Sequence, residues 1–489
     1  MKIVVIGAGF AGLATAALLA HDGHEVVVVE KNSTPGGRAG ELRIDSFRFD
    51  TGPSWYLMPE AYDHFFALLG EENPLELVPL TPAYRLFAQG HEPLDMTDPY
   101  DVFESIEHGA GEKLRQYLES AREVYELSIR QCLYTTFSNL RFIPLKLRFI
   151  KLLLTSLDSF VASQFTDTRL RQMLTYPAVF LSSHPKRTPA LYHLMSHTDL
   201  TQGVCYPQGG FSAIVEAIYR MAVERGVEFH FNTRVDEIVT RGHHVTGVRC
   251  GDKEFRAEAV VSAADIMHTQ KLLPANKRSV PKLKDPGIGT VLVMLGVEGK
   301  IPELHHHNLF FSAEWDNDFD IVFDGKPGIA NSMYVSMPSQ TDPDVAEEGC
   351  ENLFILIPTH ATENLGHGSA YATESPQVRA IAEHGVDTLA AVVPNLRTRI
   401  KVQATLGPAD FATRYNAWRG GAIGPAHTLA QSAFLRGSNV SSTLNNLYYA
   451  GATTVPGVGV PMCLISAENA LKRINGDTTH TPTPTETLS

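Results

Sequence analysis

The sequence has few cysteines, a deficit of positive charge and no long uncharged apolar run. Its five cysteines, among 489 residues, form no Cys-x-x-Cys pair, which argues against a disulfide framework or a zinc site and favours a reducing cytoplasm. Lysine and arginine total 41 against 54 acidic residues, a net charge of −13, so nucleic acid is not an expected partner. No run of 18 residues is apolar and uncharged, and the first predicted strand begins at residue 2. We therefore expect neither a membrane span nor a signal peptide.

What is present at the start is a glycine-rich turn between an apolar strand and a helix. Gly7, Gly9 and Gly12 follow the apolar run 2–6 and precede the helical run 13–20. In dinucleotide-binding turns the first glycine permits the tight turn, the second lets the backbone approach a pyrophosphate, and the third lets the helix lie close to the strand. This context predicts a nucleotide site.

A carboxylate and a second pair of glycines follow the turn. The apolar strand 25–29 ends at Glu30, where a carboxylate can accept hydrogen bonds from ribose hydroxyls. Gly36 and Gly37 come next, with Arg38 beside them; an arginine there can meet a phosphate or a flavin edge. This pattern resembles the fingerprint of the flavin amine oxidase superfamily and favours FAD over NAD.

A second glycine-rich turn, 451–461, leads into a predicted helix near the C-terminus. Two such turns suggest one large cofactor held from both sides. With the segments 206–211 and 415–424, this turn resembles the bacterial-type phytoene desaturases, FAD-dependent enzymes of carotenoid biosynthesis, over nearly the whole chain. In that family the closing turn covers the flavin and one backbone position meets the adenine. The resemblance therefore implies cofactor contacts at Gly451, Ala452, Pro456, Gly457, Gly459, Val460 and Val235.

The predicted fold class is α/β, with a discontinuous Rossmann-like FAD-binding domain. Nucleotide-fold patterns occur at the start, in the middle and near the end of the chain, and two insertions separate them. We predict an FAD-binding domain from 1–73, 209–265 and 444–476, a mainly helical subdomain at 74–208, an α+β substrate domain at 266–443 and a disordered tail at 477–489.

The resemblance implies a neutral hydrocarbon polyene as substrate, which a protein can hold only through an apolar tunnel. Hydride leaves an allylic carbon for the flavin and a neighbouring carbon loses a proton; oxygen or a quinone reoxidises the flavin. Asp50, Tyr415 and Arg419 are candidates for the proton acceptor because they lie in flavin-neighbouring motifs. Each is equally compatible with a structural role, so the catalytic residue stays open.

The segment 141–160 is apolar with a basic edge. On a helical wheel Arg141, Arg148 and Lys151 share one arc, and leucine, isoleucine and phenylalanine cover most of the rest. Such a helix fits the surface of an anionic membrane, and a core helix is the alternative. We predict a cytoplasmic protein that associates peripherally with the inner face of the cell membrane.

Several alternatives stay open. The same scaffold serves a desaturase of the thirty-carbon precursor dehydrosqualene, a later-pathway desaturase or a carotenoid isomerase. An amine oxidase and a non-redox prenyl-group escort protein are more distant rivals, and the escort proteins lack the intact FAD fingerprint. Three consecutive histidines, His305 to His307, are predicted to form a surface loop and no metal site, because adjacent side chains point in different directions. The sequence gives no signal for an oligomeric state.

Overall fold

The structure is a computed structural model that describes residues 1–135, 147–279, 283–432 and 435–485. None of the helices in these ranges is long and apolar enough to cross a membrane. The helices are α1 (Phe10–His21), α2 (Pro59–Leu68), α3 (Pro99–Ile106), α4 (Ala110–Ser128), α5 (Leu147–Leu154), α6 (Leu157–Ala162), α7 (Thr168–Thr175), α8 (Met195–Leu200), α9 (Gly210–Glu224), α10 (Ile266–Leu272), α11 (Trp315–Asp324), α12 (Pro376–Ala390), α13 (Leu396–Arg399), α14 (Pro408–Tyr415) and α15 (Val460–Ile474). The strands are β1 (Lys2–Ile6), β2 (Glu25–Val29), β3 (Glu41–Ile44), β4 (Phe47–Asp50), β5 (Leu77–Pro79), β6 (Arg85–Ala88), β7 (Leu94–Asp95), β8 (Cys205–Pro207), β9 (Glu228–His230), β10 (Glu237–Arg241), β11 (His244–Cys250), β12 (Lys253–Arg256), β13 (Ala259–Ser262), β14 (Ile288–Glu298), β15 (His307–Phe311), β16 (Met333–Ser336), β17 (Cys350–His360), β18 (Ile400–Leu406) and β19 (Leu447–Tyr449).

A parallel sheet joins the beginning, the middle and the end of the chain. Its strand order is β19-β13-β1-β2-β9, and Val4 pairs with both Val27 and Val260. The central strands are nearly continuous apolar runs because both faces of the sheet are covered. Helices α1, α9 and α15 pack on one face, and the β10-β11-β12 sheet packs on the other. The predicted α/β class is confirmed, whereas the domain boundaries stay predictions.

A second, larger sheet has the strand order β18-β14-β17-β16-β15-β6-β7. Strands β14 and β17 pair antiparallel along their whole length. Helix α12 covers one face of this sheet, and β4 packs on the other. Helices α3, α4, α6 and α7 share an apolar cluster with Leu309 and Phe311 of β15. Strand β15 is therefore the part of the large sheet against which the helical layer packs.

The basic apolar segment is not one continuous helix, in contrast to our prediction. Helix α5 ends at Leu154, and Ser156 begins α6 by accepting a hydrogen bond from the Ser159 N–H at 3.2 Å. The Leu157 N–H donates to the Thr188 carbonyl at 2.8 Å. The Leu157 bond to Thr188 replaces a hydrogen bond within the helix, and Ser156 starts a new helix, so the segment is divided into α5 and α6. Residues 141–146 lie outside the described part of the chain.

The C-terminal segment also differs from the expected disordered tail. The Thr483 N–H and hydroxyl both donate to Glu468 Oε1 at 2.8 Å, and Lys472 bonds the Thr481 carbonyl. Glu468 and Lys472 lie on α15 and are buried. Residues 477–485 therefore lie against this helix; the last four residues are outside the described ranges.

Candidate active site

The carboxyl ends of the parallel strands meet at one edge of the sheet. Gly7 follows β1, Glu30 follows β2, Ala263 follows β13 and Gly451 follows β19. A Cβ built on Gly7 would lie 3.8 Å from the Ala263 carbonyl carbon, and one on Gly451 would lie 3.2 Å from the Ala11 Cβ. The two glycine-rich turns are therefore neighbours in space. This edge is where ligands bind in open α/β sheets.

Each of the three glycines in the first turn has a different structural role. Gly7 has φ +97°, and its N–H donates to the Val29 carbonyl at 2.8 Å. A Cβ on Gly12 would lie 1.9 Å from the Gly7 oxygen, so only glycine fits there. Gly9 has φ −68°, which any residue can adopt. The atom closest to a Cβ built on Gly9 would be Gly37 Cα, at 4.0 Å. The protein itself would accept a small side chain at Gly9, so the space beside it is free for a ligand.

The same turn offers an anion site. Helix α1 begins directly after Gly9, and neither a side-chain cap nor an acidic residue occupies its first turn. Free N–H groups and the helix dipole favour a bound phosphate there.

Glu30 is placed where the ribose acid was predicted. Its side chain is buried, with Oε2 accepting from the Ala8 N–H at 2.8 Å and Oε1 accepting from the Asn32 N–H at 2.7 Å. These two bonds fix the carboxylate beside the glycine turn, and each oxygen keeps a lone pair for a hydroxyl. Gly36 completes the turn, because its N–H donates to the Ala8 carbonyl at 2.8 Å.

The second glycine pair packs on the first turn. Gly37 has φ +58°, and a Cβ there would lie 3.1 Å from Gly9 Cα. The sequence pattern predicts that Arg38 contacts a phosphate or the flavin edge. In the structure its Nη1 donates instead to two protein carbonyls, those of Ala422 at 3.1 Å and Ile423 at 2.7 Å. In this structure Arg38 ties the glycine pair to the 422–423 loop.

The closing turn is held by its own glycines and by α15. The Gly451 N–H donates to Ser466 Oγ at 3.0 Å. A Cβ on Gly457, which has φ +157°, would lie 2.3 Å from His427 Nε2. Gly459 has φ +115° and immediately precedes α15. The other predicted contacts of this region are Ala452, which is buried, Pro456 and Val460 in the same segment, and Val235, which is buried in the cluster behind β1 and β2.

A buried cation that the sequence analysis missed fixes this turn. Arg436 has only 1% of its surface exposed. Its Nη2 donates to the carbonyls of Ala452 at 2.8 Å and Pro425 at 2.9 Å, and its Nε donates to Thr454 at 3.2 Å. Burial lowers the pKa of Arg436 to about 10, so the side chain stays charged at neutral pH. No glycine pattern or neighbouring motif marks it in the sequence.

Asp50 connects β4 to α9. Its Oδ2 accepts from the Phe211 N–H at 2.9 Å, and a Cβ on Gly210 would lie 2.4 Å from the same oxygen. Burial raises the pKa of Asp50 to about 6. Its Oδ1 has no partner among the described residues. The carboxylate therefore has a structural role at one oxygen and an open position at the other.

The other two candidate proton acceptors lie apart from Asp50. Tyr415 ends α14 and packs on Phe411 with ring centroids 5.9 Å apart. Arg419 is exposed and has φ +53°. The structure gives neither residue a contact that assigns it a catalytic role.

His306 and His307 are buried and His305 is half-buried, so the prediction of a surface loop was wrong. His307 is the first residue of β15, a strand inside the large sheet. The His307 ring stacks on Trp55 with centroids 4.5 Å apart, and its Nδ1 lies 2.7 Å from the Tyr334 hydroxyl. The sequence pattern did not predict this burial, because three adjacent polar residues are typical of a loop. No group of three metal-ligating side chains occurs in the described ranges.

Trp55, Phe180 and Tyr334 form an aromatic cluster, called here the aromatic wall. The Trp55 ring lies 5.4 Å from Phe180 and 6.1 Å from Tyr334, and all three are partly exposed. The wall follows Gly52, at which a Cβ would lie 2.1 Å from the Arg38 carbonyl oxygen. The backbone at Gly52 therefore packs next to the second glycine pair, and Trp55 follows three residues further along the chain.

Three features of this site fit an FAD. They are the open space beside Gly9, the buried carboxylate of Glu30 and the N-terminus of α1, which has no side-chain cap. The family model for flavin containing amine oxidoreductases matches residues 10–475. The chain is 38% identical to the carotenoid 3,4-desaturase of Haloarcula japonica over 97% of this chain and 98% of the relative. It is 33% identical to the zeta-carotene-forming phytoene desaturase of Myxococcus xanthus over 97% and 93%, respectively.

Among solved structures, an oxidoreductase from Methanosarcina mazei superposes with a TM-score of 0.65 at 18% identity, covering 96% of this chain and 100% of that one. This likeness shows the shared fold. The chain therefore belongs to the flavin containing amine oxidoreductase family, and within it to the carotenoid desaturases, which are FAD-dependent oxidoreductases acting on CH–CH groups.

Proposed function

We propose that the protein desaturates phytoene towards lycopene. The observation that carries the proposal is the aromatic wall of Trp55, Phe180 and Tyr334, which begins three residues after Gly52, whose backbone packs on the Arg38 carbonyl. A hydrocarbon polyene has no polar group for a protein to bind, so flat apolar walls must align it. The zeta-carotene-forming relative from Myxococcus xanthus supports phytoene as the substrate.

The residues of the site have separate tasks in this reaction. When bound, FAD supplies the hydride acceptor. Glu30 would orient the ribose, Gly9 would leave room for the pyrophosphate, and Gly37 lets the second glycine pair pack on Gly9. Arg436 holds the closing turn, which would cover the cofactor. The aromatic wall places the polyene and excludes water from the reacting carbons.

A second candidate function is 3,4-desaturation of a carotenoid that is already conjugated. The 38% identity to the Haloarcula japonica enzyme favours it. Both reactions remove two hydrogens from adjacent carbons and differ in where the polyene stops along the site. Oxygen or a membrane quinone is the proposed electron acceptor.

The deciding experiment supplies each substrate separately to the FAD-loaded protein. Liposomes would carry phytoene, 4,4′-diapophytoene or lycopene, with oxygen or a quinone as acceptor, and the products would be separated by chromatography. We expect phytoene to yield coloured products of increasing conjugation. Conversion of lycopene alone would replace the phytoene assignment with 3,4-desaturation, and conversion of 4,4′-diapophytoene alone would identify a thirty-carbon desaturase.

We also propose that α5 contacts an anionic membrane surface, from which the hydrocarbon substrate enters. Leu154 is 73% exposed at the end of this helix, and Lys151 lies exposed one turn earlier. Arg148, in contrast, pairs with Glu123 of α4 at 2.7 Å. Within the described helix α5, Lys151 is therefore the cation without an ion pair, and Arg148 attaches α5 to the helical layer.

Substituting both exposed residues of α5 tests whether this surface binds the membrane. Lys151→Glu combined with Leu154→Ser is expected to weaken binding to phosphatidylglycerol vesicles by on the order of tenfold, because each cation near such a surface contributes about 1 kcal/mol. Sedimentation with vesicles measures this effect, and FAD content should stay unchanged. Lys253→Glu on the distant strand β12 is the matched charge control. Equal sedimentation of the double variant and the wild-type protein would rule out α5 as the contact.

A further inference from the structure

Three polar side chains from separate parts of the chain form a hydrogen-bonded line at the aromatic wall. The Tyr334 hydroxyl, on β16, donates to Ser54 Oγ at 2.9 Å and lies 2.7 Å from Nδ1 of His307 on β15. Residues 280 positions apart are thus connected through one hydroxyl group. Its place in the wall sets this hydroxyl beside the surface assigned above to the polyene.

The protonation states of the pair suit a proton relay. Burial lowers the pKa of His307 well below its usual value, so the imidazole is neutral at rest and passes a proton on rather than holding it. Burial raises the pKa of the Tyr334 hydroxyl, which is therefore protonated at neutral pH. The Trp55 ring lies parallel to the imidazole, at an interplanar angle of 9°. An indole face attracts a cation, so it stabilises the imidazolium that proton uptake would form.

The line continues into a small, mostly apolar pocket that several polar atoms enter. Ser54 lines this pocket together with Asp50, His306 and Ser336. Asp50 Oδ1, His306 Nε2 and Ser336 Oγ are buried and have no hydrogen-bond partner among the described residues. Buried polar atoms without a protein partner are positions at which ordered water binds. The pocket therefore gives a proton a route away from Ser54.

We propose that Tyr334 and His307 together accept the proton that the substrate loses. The inference rests on the proposed desaturation. One carbon gives up a hydride to the bound oxidant FAD. The C–H bond of the neighbouring carbon breaks, and its electron pair becomes the second bond of the new C=C. That proton moves to Tyr334 Oη while the tyrosine's own proton turns from Ser54 Oγ to His307 Nδ1, which accepts it as the Nε2–H tautomer. The proton afterwards leaves through Tyr334 and Ser54 to the pocket that Ser54 lines.

Asp50 is the alternative acceptor within reach of the same pocket. Its Oδ2 is engaged by the Phe211 N–H, and Gly210 packs against it. The carboxylate is thereby held at the start of α9, whereas Tyr334 is part of the wall itself. This difference favours the tyrosine and histidine pair.

The test uses the FAD-loaded protein without oxygen, with phytoene liposomes, and follows the loss of flavin absorbance near 450 nm. Tyr334→Phe keeps the ring and removes the hydroxyl; it is expected to slow flavin reduction by about 100-fold, the lower range for general acid–base catalysis. His307→Gln is expected to have a similar effect, and the double variant should be no slower than the single ones, because the two residues act as a unit. The wild-type rate should show a solvent isotope effect that Tyr334→Phe abolishes.

Tyr84→Phe is the matched control. Tyr84 is buried against the same indole, with centroids 5.8 Å apart, and its hydroxyl has no partner in the described ranges. This variant should reduce flavin at the wild-type rate. FAD content and melting temperature, measured for every variant, separate a catalytic loss from a folding loss.

Two outcomes would overturn the relay and leave the proposed function standing: a Tyr334→Phe variant that reduces flavin at the wild-type rate, or a slow one whose isotope effect is unchanged. A larger loss in folded Asp50→Asn would move the assignment to Asp50. Wild-type protein that is not reduced by phytoene would instead refute both the phytoene assignment and the relay built on it.

Discussion

Replacing Gly9 with valine is expected to abolish FAD retention and leave the protein folded. Gly9 has φ −68°, which a side chain tolerates, and a Cβ there would meet nothing closer than Gly37 Cα at 4.0 Å. The side chain would instead occupy the space reserved for the pyrophosphate. We expect FAD affinity to fall by at least about 100-fold, or roughly 2.7 kcal/mol. Fluorescence titration of the apoprotein with FAD measures this change.

Gly12→Ala is the contrasting variant, because it disturbs the turn itself. Its Cβ would lie 1.9 Å from the Gly7 oxygen, so both FAD affinity and the melting temperature of the apoprotein should fall. Gly9→Val should lower only FAD affinity, and Gly9→Ala should do so to a smaller degree. If Gly9→Val binds FAD as the wild-type protein does, the pyrophosphate does not lie at this turn.

The nucleotide edge was predictable because its signals are local. An apolar strand, a glycine turn and a helix occur within about twenty residues of Lys2, and the rules for such turns are steric. The same holds for β19 and α15 around the closing turn. Local signals therefore located both turns, and the parallel sheet then brought them together.

The residues that sequence analysis missed depend on distant partners. His307 is buried because β15 pairs with β16 and β6 inside the large sheet and the Trp55 ring covers the imidazole, and no residue near it in the sequence indicates either contact. The helix break at Ser156 follows from pairing with the segment around Pro189. Asp50 was named as a possible catalyst, and its bond to Phe211 became visible only in three dimensions. Contacts between residues remote in sequence thus decide the chemistry of this site.

Arg436→Met is expected to destabilise the protein and release FAD, because the closing turn depends on this guanidinium. Methionine keeps an unbranched apolar stem and lacks the guanidinium, so the carbonyls of Ala452, Thr454 and Pro425 would lose their donors while buried. Unpaired buried acceptors cost about 1–3 kcal/mol each. We expect the free energy of unfolding to fall by about 3 kcal/mol or more, as measured by urea denaturation.

The accompanying variants separate the contribution of charge from that of hydrogen-bond geometry. Arg436→Lys keeps the charge and offers fewer donors in a different geometry, so it should recover only part of the stability and FAD retention. Arg256→Met, on the exposed strand β12, controls for loss of an arginine and should behave as wild type. FAD dissociation should be faster in Arg436→Met even at urea concentrations where the protein stays folded, because the turn that covers the cofactor has lost its anchor. Unchanged dissociation together with lower stability would mean that Arg436 supports the fold and that the closing turn does not control release of the cofactor.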